Sequence, residues 1–578
     1  MESLLWVILI SSVSLCLGQL PKECTYDKGE DFDGICCPVV SSYGVCGGVQ
    51  RGHCINITDS YPQYDCDGQY RSSKYCTAEK HLKHRPIRNQ VDIRYRWPSQ
   101  IFTKVCECFA NYGGYNCMRC KPGYSGEDCS QKQSLYMRKN FLHLSDGEKQ
   151  EFLDIIDEAK SSKDSRITIP RLEPITSNGH DSFLELSIYD IFAIYHYYTN
   201  RDKMINRCAE GTRAQEACNG KCPVPDFAHW GPAFLTWHRG YLLYLEEEIR
   251  DMLKRSPRTR KYFNYQNFAL HYWDWTDETV DEDDIWVAIG DSNALHNSHQ
   301  ITEGRFSSWS VVCKDHNELL CDSDSLCFLP TPGHPIERNV GGGSGKQCLS
   351  KPSKNAEYST LPNAKDFQVA LQKVYYDVPG YGNHYTTGGF RNALEGFKSL
   401  GNSRKSVCEN LNVKDRPPFP FFELHNRVHV YIGGTMSDIV ISSNDPIFYL
   451  HHSNVDRLYE SWYRTHVGSY LPDSFSYDVL PGHNIDEPLV ALFPRVTNGD
   501  MHKRTTDLGY DYDEVVTVDA KLQHLLTTSK TTGQTTDQIT GQTTGQTTGG
   551  SRSGVYSYTL FEMGSVLLLI TMFVHYVY

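Results

Sequence analysis

The chain has 578 residues, with 57 Lys and Arg against 70 Asp and Glu and a formal net charge of -13. That length can bury a sizeable core and suits more than one domain. The acidic balance leaves no broad basic surface, which argues against a nucleic-acid partner.

In chain order, residues 1-18 read as a secretory signal peptide: an apolar run from Leu4 to Ile10 and a small Gly18 before Gln19, although Glu2 rather than a basic residue precedes the run. Its removal takes Cys16 with it and leaves 20 of the 21 cysteines, an even number suited to disulfides in an oxidising compartment. Twelve of these fall between Cys24 and Cys129. The run from Cys106 to Cys129 has the close spacing and Gly-Tyr turn of an EGF-like module. Zinc is the competing reading for Cys117 and Cys120, and the crowd of neighbouring cysteines in a secreted chain favours disulfides. Asn56, in Asn-Ile-Thr, is a glycan acceptor. The cysteine-rich region is expected to span 19-133 and a second domain 134-523.

Beyond Ser134 the patterns become helical. Ser145 and Glu148 form the two ends of a capping box that opens a helix through Ala159. An amphipathic stretch from Phe183 to Tyr198 carries His196, and another from Ala233 to Leu253 carries His238. His425 and His429 are four apart, so a helix sets both on one face. Asn444 or Asp445 followed by Pro446 reads as an N-cap and first helical position, with His452 about two turns further on. The expected fold is mainly α, a helical bundle with a metal site in its interior.

Residues 524-554 repeat Thr-Thr-Gly-Gln with almost no apolar content and read as an extended stalk. In the tail, 555-578, the apolar run Met563 to Tyr578 is shorter than the roughly 20 residues of a spanning helix. Small residues, a polar spacer and a terminal apolar run equally fit a GPI signal. Membrane tethering by either route is expected.

His196, His229 and His238 form one cluster, and His425, His429 and His452 another. Three neutral imidazoles can hold one copper ion and leave a coordination position open, and two such clusters suggest a copper pair for dioxygen. A lone His-x-x-x-His is more often a surface pair, so the weight lies in the number of histidines and their frames. Those frames are IYHYY, DFAHWGPAFLTWHRGYLL, ELHNRVHVYIGGTM and NDPIFYLHHSNVDRLYESW. They resemble the copper A and copper B signatures of the tyrosinase family. With the cysteine-rich start and the membrane-proximal tail, the whole is similar to animal melanin-forming members.

The resemblance implies two copper ions, dioxygen and phenolic small molecules as partners, ortho-hydroxylation of monophenols and oxidation of o-diphenols to o-quinones. It implies His452 rather than His451 as ligand. It implies that Glu395, in GFRNALEGF, and Asn426 hold a water that takes the phenolic proton. Alone, Glu395 reads as a solvated helix residue. By the same likeness Phe448 and Val430 border the substrate entrance and Ser442 sits near the ring. Asp456 is expected to orient a ligand histidine from outside the coordination sphere, and His271, in HYWDWT, to pack. The chain is expected in the secretory pathway, outside the cell or in a melanosome-like lumen, although it lacks the cytoplasmic sorting tail of vertebrate members. Trp230 stands where those members carry an acidic residue. No Cys-x-His precedes His229, so no thioether crosslink is expected. Three alternatives remain: a catechol oxidase without monophenol activity, a zinc-loaded relative that isomerises melanin intermediates, and a non-catalytic dioxygen carrier.

Overall fold

The computed structural model describes residues 20-60, 97-99, 101-163, 165-170, 183-200, 226-229, 231-255, 267-281, 283-290, 299-313, 334-340, 360-377, 389-396, 424-466 and 482-517. The chain divides into two units, 1-520 and 521-578. The expected signal peptide, stalk and anchoring tail lie outside the described residues, as do Cys208, Cys218 and Cys222. Among the described residues no helix is long and apolar enough to cross a membrane.

The cysteine-rich part of the first unit is held by short strands and disulfides. Strand Gly52–Asn56 pairs antiparallel with Lys104–Cys108, and Ile35–Cys36 adds a parallel edge. Disulfides join Cys24 to Cys36, Cys37 to Cys54, Cys46 to Cys106, Cys108 to Cys117 and Cys120 to Cys129. Cys117 and Cys120 are thus spent on different bridges, which removes the zinc reading. Strands of two to five residues bury too little to stand alone, so crosslinks replace the missing core. Asn56 is exposed.

The helical core follows the sequence pattern closely. Ser145 caps the helix Asp146–Ser161, with Glu148 reaching back to the Ser145 amide at 3.0 Å. The expected helix from Phe183 begins later. Phe183–Leu184 is a strand paired with Ile169 and Pro170, and the helix is Ile188–Thr199, capped by Ser187. All twelve of its residues are buried, so it is a central helix rather than an amphipathic one. Helix Ala233–Arg255 crosses the core beside it. Helices Leu424–Ile432 and Ile447–His466 complete the set. Asp445 Oδ1 accepts from the Ile447 amide at 3.1 Å, so Asp445 caps the last helix and Pro446 occupies its first turn. His452 is the sixth residue of that helix as observed.

Strand Tyr136–Arg138 pairs in parallel with Tyr510–Tyr512, tying the entry of the helical region to its exit. This pairing delivers Arg138, fully buried, to the heart of the core. Two histidines packed nearby resist protonation. Burial, with Lys139 beside it, pushes His271 down to about 3, and burial with Arg239 does the same to His502. His271 is a packing residue, its ring 5.0 Å from Phe152, and its Nδ1 accepts from the Lys139 amide. An unfolded histidine titrates near 6.5, so below that pH the unfolded chain binds protons the folded chain refuses. Stability present above about pH 6.5 is therefore lost as pH falls toward 3. The midpoint of thermal unfolding is expected to drop between pH 7 and pH 5, and His502→Gln to flatten that slope. An unchanged slope in the variant would remove His502 from the account.

Candidate metal centre

Each histidine is delivered by a different local device. His196 projects from the buried helix Ile188–Thr199, and among the described residues neither of its ring nitrogens has a hydrogen-bond partner. His229 precedes the next helix in a turn built by Asp226, whose Oδ1 accepts from the amides of Ala228 at 2.8 Å and His229 at 2.7 Å. The same oxygen lies 3.2 Å from His229 Nδ1. Gly231 follows because a Cβ there would meet His483 Nδ1 at 2.3 Å. His483 accepts from the Ala233 amide and donates to the Asp226 carbonyl, clamping this turn onto the helix start. His238 donates from Nδ1 to the Phe234 carbonyl at 2.7 Å, which leaves Nε2 bare and without a partner.

The second cluster repeats the logic. His425 Nδ1 is 2.8 Å from Asn426 Oδ1, and His429 Nδ1 is 2.8 Å from the Met436 carbonyl. With Nδ1 carrying the proton, Nε2 offers a lone pair. The Nε2 atoms of His425, His429 and His452 stand 3.0, 3.2 and 3.3 Å apart. Three lone pairs that close repel one another unless a cation lies between them. An ion bound to nitrogen at about 2.0 Å spaces tetrahedral donors about 3.3 Å apart, which is the separation found. A fourth imidazole, His451, belongs to the same cluster. The two clusters face each other, with the His238 ring stacked on His452 at 4.4 Å.

Burial, reinforced by the neighbouring imidazoles, pushes His196, His238, His425 and His452 well below the ordinary histidine range, and burial takes His429 down to about 4. All are neutral near pH 7, the form that ligates. Bare buried nitrogens, with no carboxylate in either cluster and imidazole as sole donor among the described residues, fit copper.

The remaining expected residues are distributed unevenly. Glu395 is not solvated: it is fully buried at the end of helix Phe390–Glu395, and its carboxylate accepts from Arg391 at 2.5 Å. Arg391 also donates to Asp377 at 2.9 Å. The helix packs against Leu424–Ile432, which carries Asn426. Asn426 Nδ2 is buried and has no hydrogen-bond partner among the described residues. Val430 is half-buried. Ser442 is buried, its hydroxyl donating to the Ile439 carbonyl at 3.2 Å.

Phe448 is fully buried, stacked on His452 at 4.0 Å and edge-on to His196 at 5.0 Å, so it is a wall between the clusters. One expectation needs correction. Asp456 orients no histidine. Its oxygens accept from Arg239 at 2.5 Å, Arg138 at 3.0 Å and the hydroxyls of Tyr510 and Tyr512, both at 2.6 Å. The sequence reading missed Phe234, whose ring lies 4.8 Å from His425 and 4.9 Å from His238. It also missed Asp226, which Asp-x-x-His in a turn could have signalled, since an aspartate there accepts from the amides two and three residues on.

Residues 186-465 match the family model described as the common central domain of tyrosinase. A tyrosinase of Oryzias latipes is 30% identical over 524 residues, covering 89% of this chain and 84% of that protein. A tyrosinase of Canis lupus familiaris is 30% identical over 522 residues, covering 88% and 84%. A 5,6-dihydroxyindole-2-carboxylic acid oxidase of Mus musculus is 31% identical over 514 residues, covering 86% and 82%. Similarity of this extent across both histidine clusters places the chain in the tyrosinase family, as an enzyme of the type 3 copper class with sites for two copper ions.

Proposed function

We propose that this protein hydroxylates monophenols such as tyrosine at the ortho position and oxidises o-diphenols such as dopa to o-quinones, feeding melanin synthesis. The observation that carries the reading is the pair of facing, buried, all-imidazole clusters, joined by the His238 to His452 stack. When bound, a copper pair gives dioxygen two electrons together and a phenolic oxygen an open coordination position. His196, His229 and His238 hold one ion and His425, His429 and His452 the other. Phe448 and Phe234 fill the space around the ring nitrogens with apolar surface and exclude water from it. Asn426, its Oδ1 fixed by His425, turns a buried amide N–H outward to a water oxygen, and Glu395 accepts from the same water, which takes the phenolic proton. Val430 and Ser442 line the phenol side.

The domain plan that goes with this is a cleaved signal peptide at 1-18, a cysteine-rich region at 19-133, the copper domain at 134-523, a stalk at 524-554 and an anchoring tail at 555-578. The exposed Asn56 and the disulfides support passage through the secretory pathway and a glycan at Asn56.

The test is metal content of the purified chain alongside oxygen uptake with tyrosine and with dopa. Two coppers with turnover of both substrates is the expected result. Copper with dopa turnover alone leaves a catechol oxidase, and zinc without oxygen uptake overturns the reading. Glu395→Gln is expected to lower monophenol turnover by about 100-fold, within the range of general base catalysis, and diphenol turnover much less. Equal losses on both substrates would remove Glu395 from the proton path.

A further inference from the structure

His451 is a fully buried imidazole inside the second cluster, yet the pair separations near 3.3 Å involve only its three neighbours. Its Nδ1 accepts from the indole N–H of Trp275 at 3.2 Å. An indole nitrogen only donates, so Nδ1 must present its lone pair to Trp275, and the proton of the neutral ring must sit on Nε2. Neither nitrogen is then available to a metal: one lone pair is occupied and the other nitrogen bears hydrogen. Among the described residues Nε2 has no hydrogen-bond partner of its own. The ring lies flat against His425, 17° from parallel with centroids 5.1 Å apart, and edge-on to His429 at 4.9 Å. Trp275 is itself buried and fixed in the stretch that follows His271 and Trp273.

We infer that Trp275 locks His451 in the Nε2–H tautomer, so that this fourth imidazole serves as a positioning residue that braces His425 and is kept from ligating the second copper. The inference rests on the copper reading but not on which phenol is oxidised. Without the indole N–H, the proton of the His451 ring is free to move from Nε2 to Nδ1, which brings a lone pair to a cluster whose ring nitrogens lie within 4.8 Å of one of its own. A fourth imidazole would fill the position that oxygen and substrate need.

The test compares Trp275→Phe, His451→Gln and the double variant with the unaltered protein. Copper per chain comes from elemental analysis, and imidazoles per copper from X-ray absorption of the reduced, copper-loaded protein. The unaltered protein reports separately on the copper reading: without two coppers, that reading fails and not merely the tautomer lock. Trp275→Phe is expected to keep two coppers, show an increased imidazole count and lose about 10-fold in diphenol turnover, the scale of an outer-sphere partner. The double variant, with no imidazole left at 451 to intrude, is expected to recover both the count and most of the rate. An unchanged imidazole count in Trp275→Phe, or a double variant no better than the single one, would overturn the inference, since mere loss of packing is not repaired by a second substitution. Should Trp275→Phe not fold, His451→Gln decides alone: two retained coppers support the inference, and loss of one makes His451 a ligand and ends it.

Discussion

Replacing Asp456 with alanine is expected to destabilise the folded protein by about 3–5 kcal/mol, the cost of leaving buried charges without their partner. The carboxylate faces two guanidinium groups that reach no solvent, Arg138 and Arg239, and two tyrosine hydroxyls. Burial pushes its proton affinity up, but Arg239 and Arg138 outweigh that and hold the carboxyl below the usual range. Glu246 keeps Arg138 at 2.9 Å, whereas Arg239 falls back on Glu460 at 3.5 Å, so the deficit concentrates on Arg239. Asp456→Asn, which keeps an oxygen for the tyrosines but not the charge, should lose less than alanine and still more than a surface substitution. Denaturant midpoints of the metal-free proteins measure the difference. A loss below about 1 kcal/mol for the alanine variant would mean that water or a neighbouring carboxylate takes over. Any Asp456 variant that folds should still bind two coppers, because no ligand histidine depends on that carboxylate. Loss of copper from a folded variant would contradict this.

Asp456 also shows where sequence reading stops. It lies four residues beyond His452 on one helix, so helical periodicity places the two on a common face and invites a metal-site role. The cations that claim it come from 318 and 217 residues away, and only the parallel pairing of Tyr136–Arg138 with Tyr510–Tyr512 brings Arg138 there. No local pattern encodes that. What was legible was local chemistry: the Ser145 to Glu148 capping box, the one-turn spacing of His425 and His429, the Asp445-Pro446 helix start and the six histidines in their frames. The helix from Phe183 was misplaced because an apolar run bounded by no strong breaker reads alike as strand or helix. Ser187, whose side chain accepts from the Asp190 amide, marks the true start. The contacts of Phe448 were not legible for a different reason: its sequence neighbours say that it sits near the site, and nothing in them says which side of the imidazoles it faces.

The first cluster is expected to lose its copper selectively when Asp226 becomes asparagine. Among the histidine Nδ1 contacts, that of His229 meets a carboxylate, whereas His238 and His429 meet backbone carbonyls and His425 a side-chain amide. A carboxylate on the far nitrogen fixes the tautomer and makes the ligating nitrogen more basic. Neutral acceptors do the first and little of the second. Asparagine in the correct rotamer can still accept from the Ala228 and His229 amides, so the turn survives while the charge goes. Outer-sphere partners of this kind set metal affinity by about 10–100-fold, and that is the weakening expected at one copper of the two. Chelator competition should then show biphasic release, with one copper per chain leaving early and the other at the unaltered concentration. Oxygen uptake should fall with the first phase, since neither ion alone provides both electrons, and should return when copper is added in excess. Asp226→Ala, which removes the turn as well, should not be rescued so simply, because His229 is then free to swing away from the cluster. Simultaneous loss of both ions from Asp226→Asn, or an unaltered first phase, would show that the backbone turn alone positions His229 and that the charge contributes nothing to holding copper.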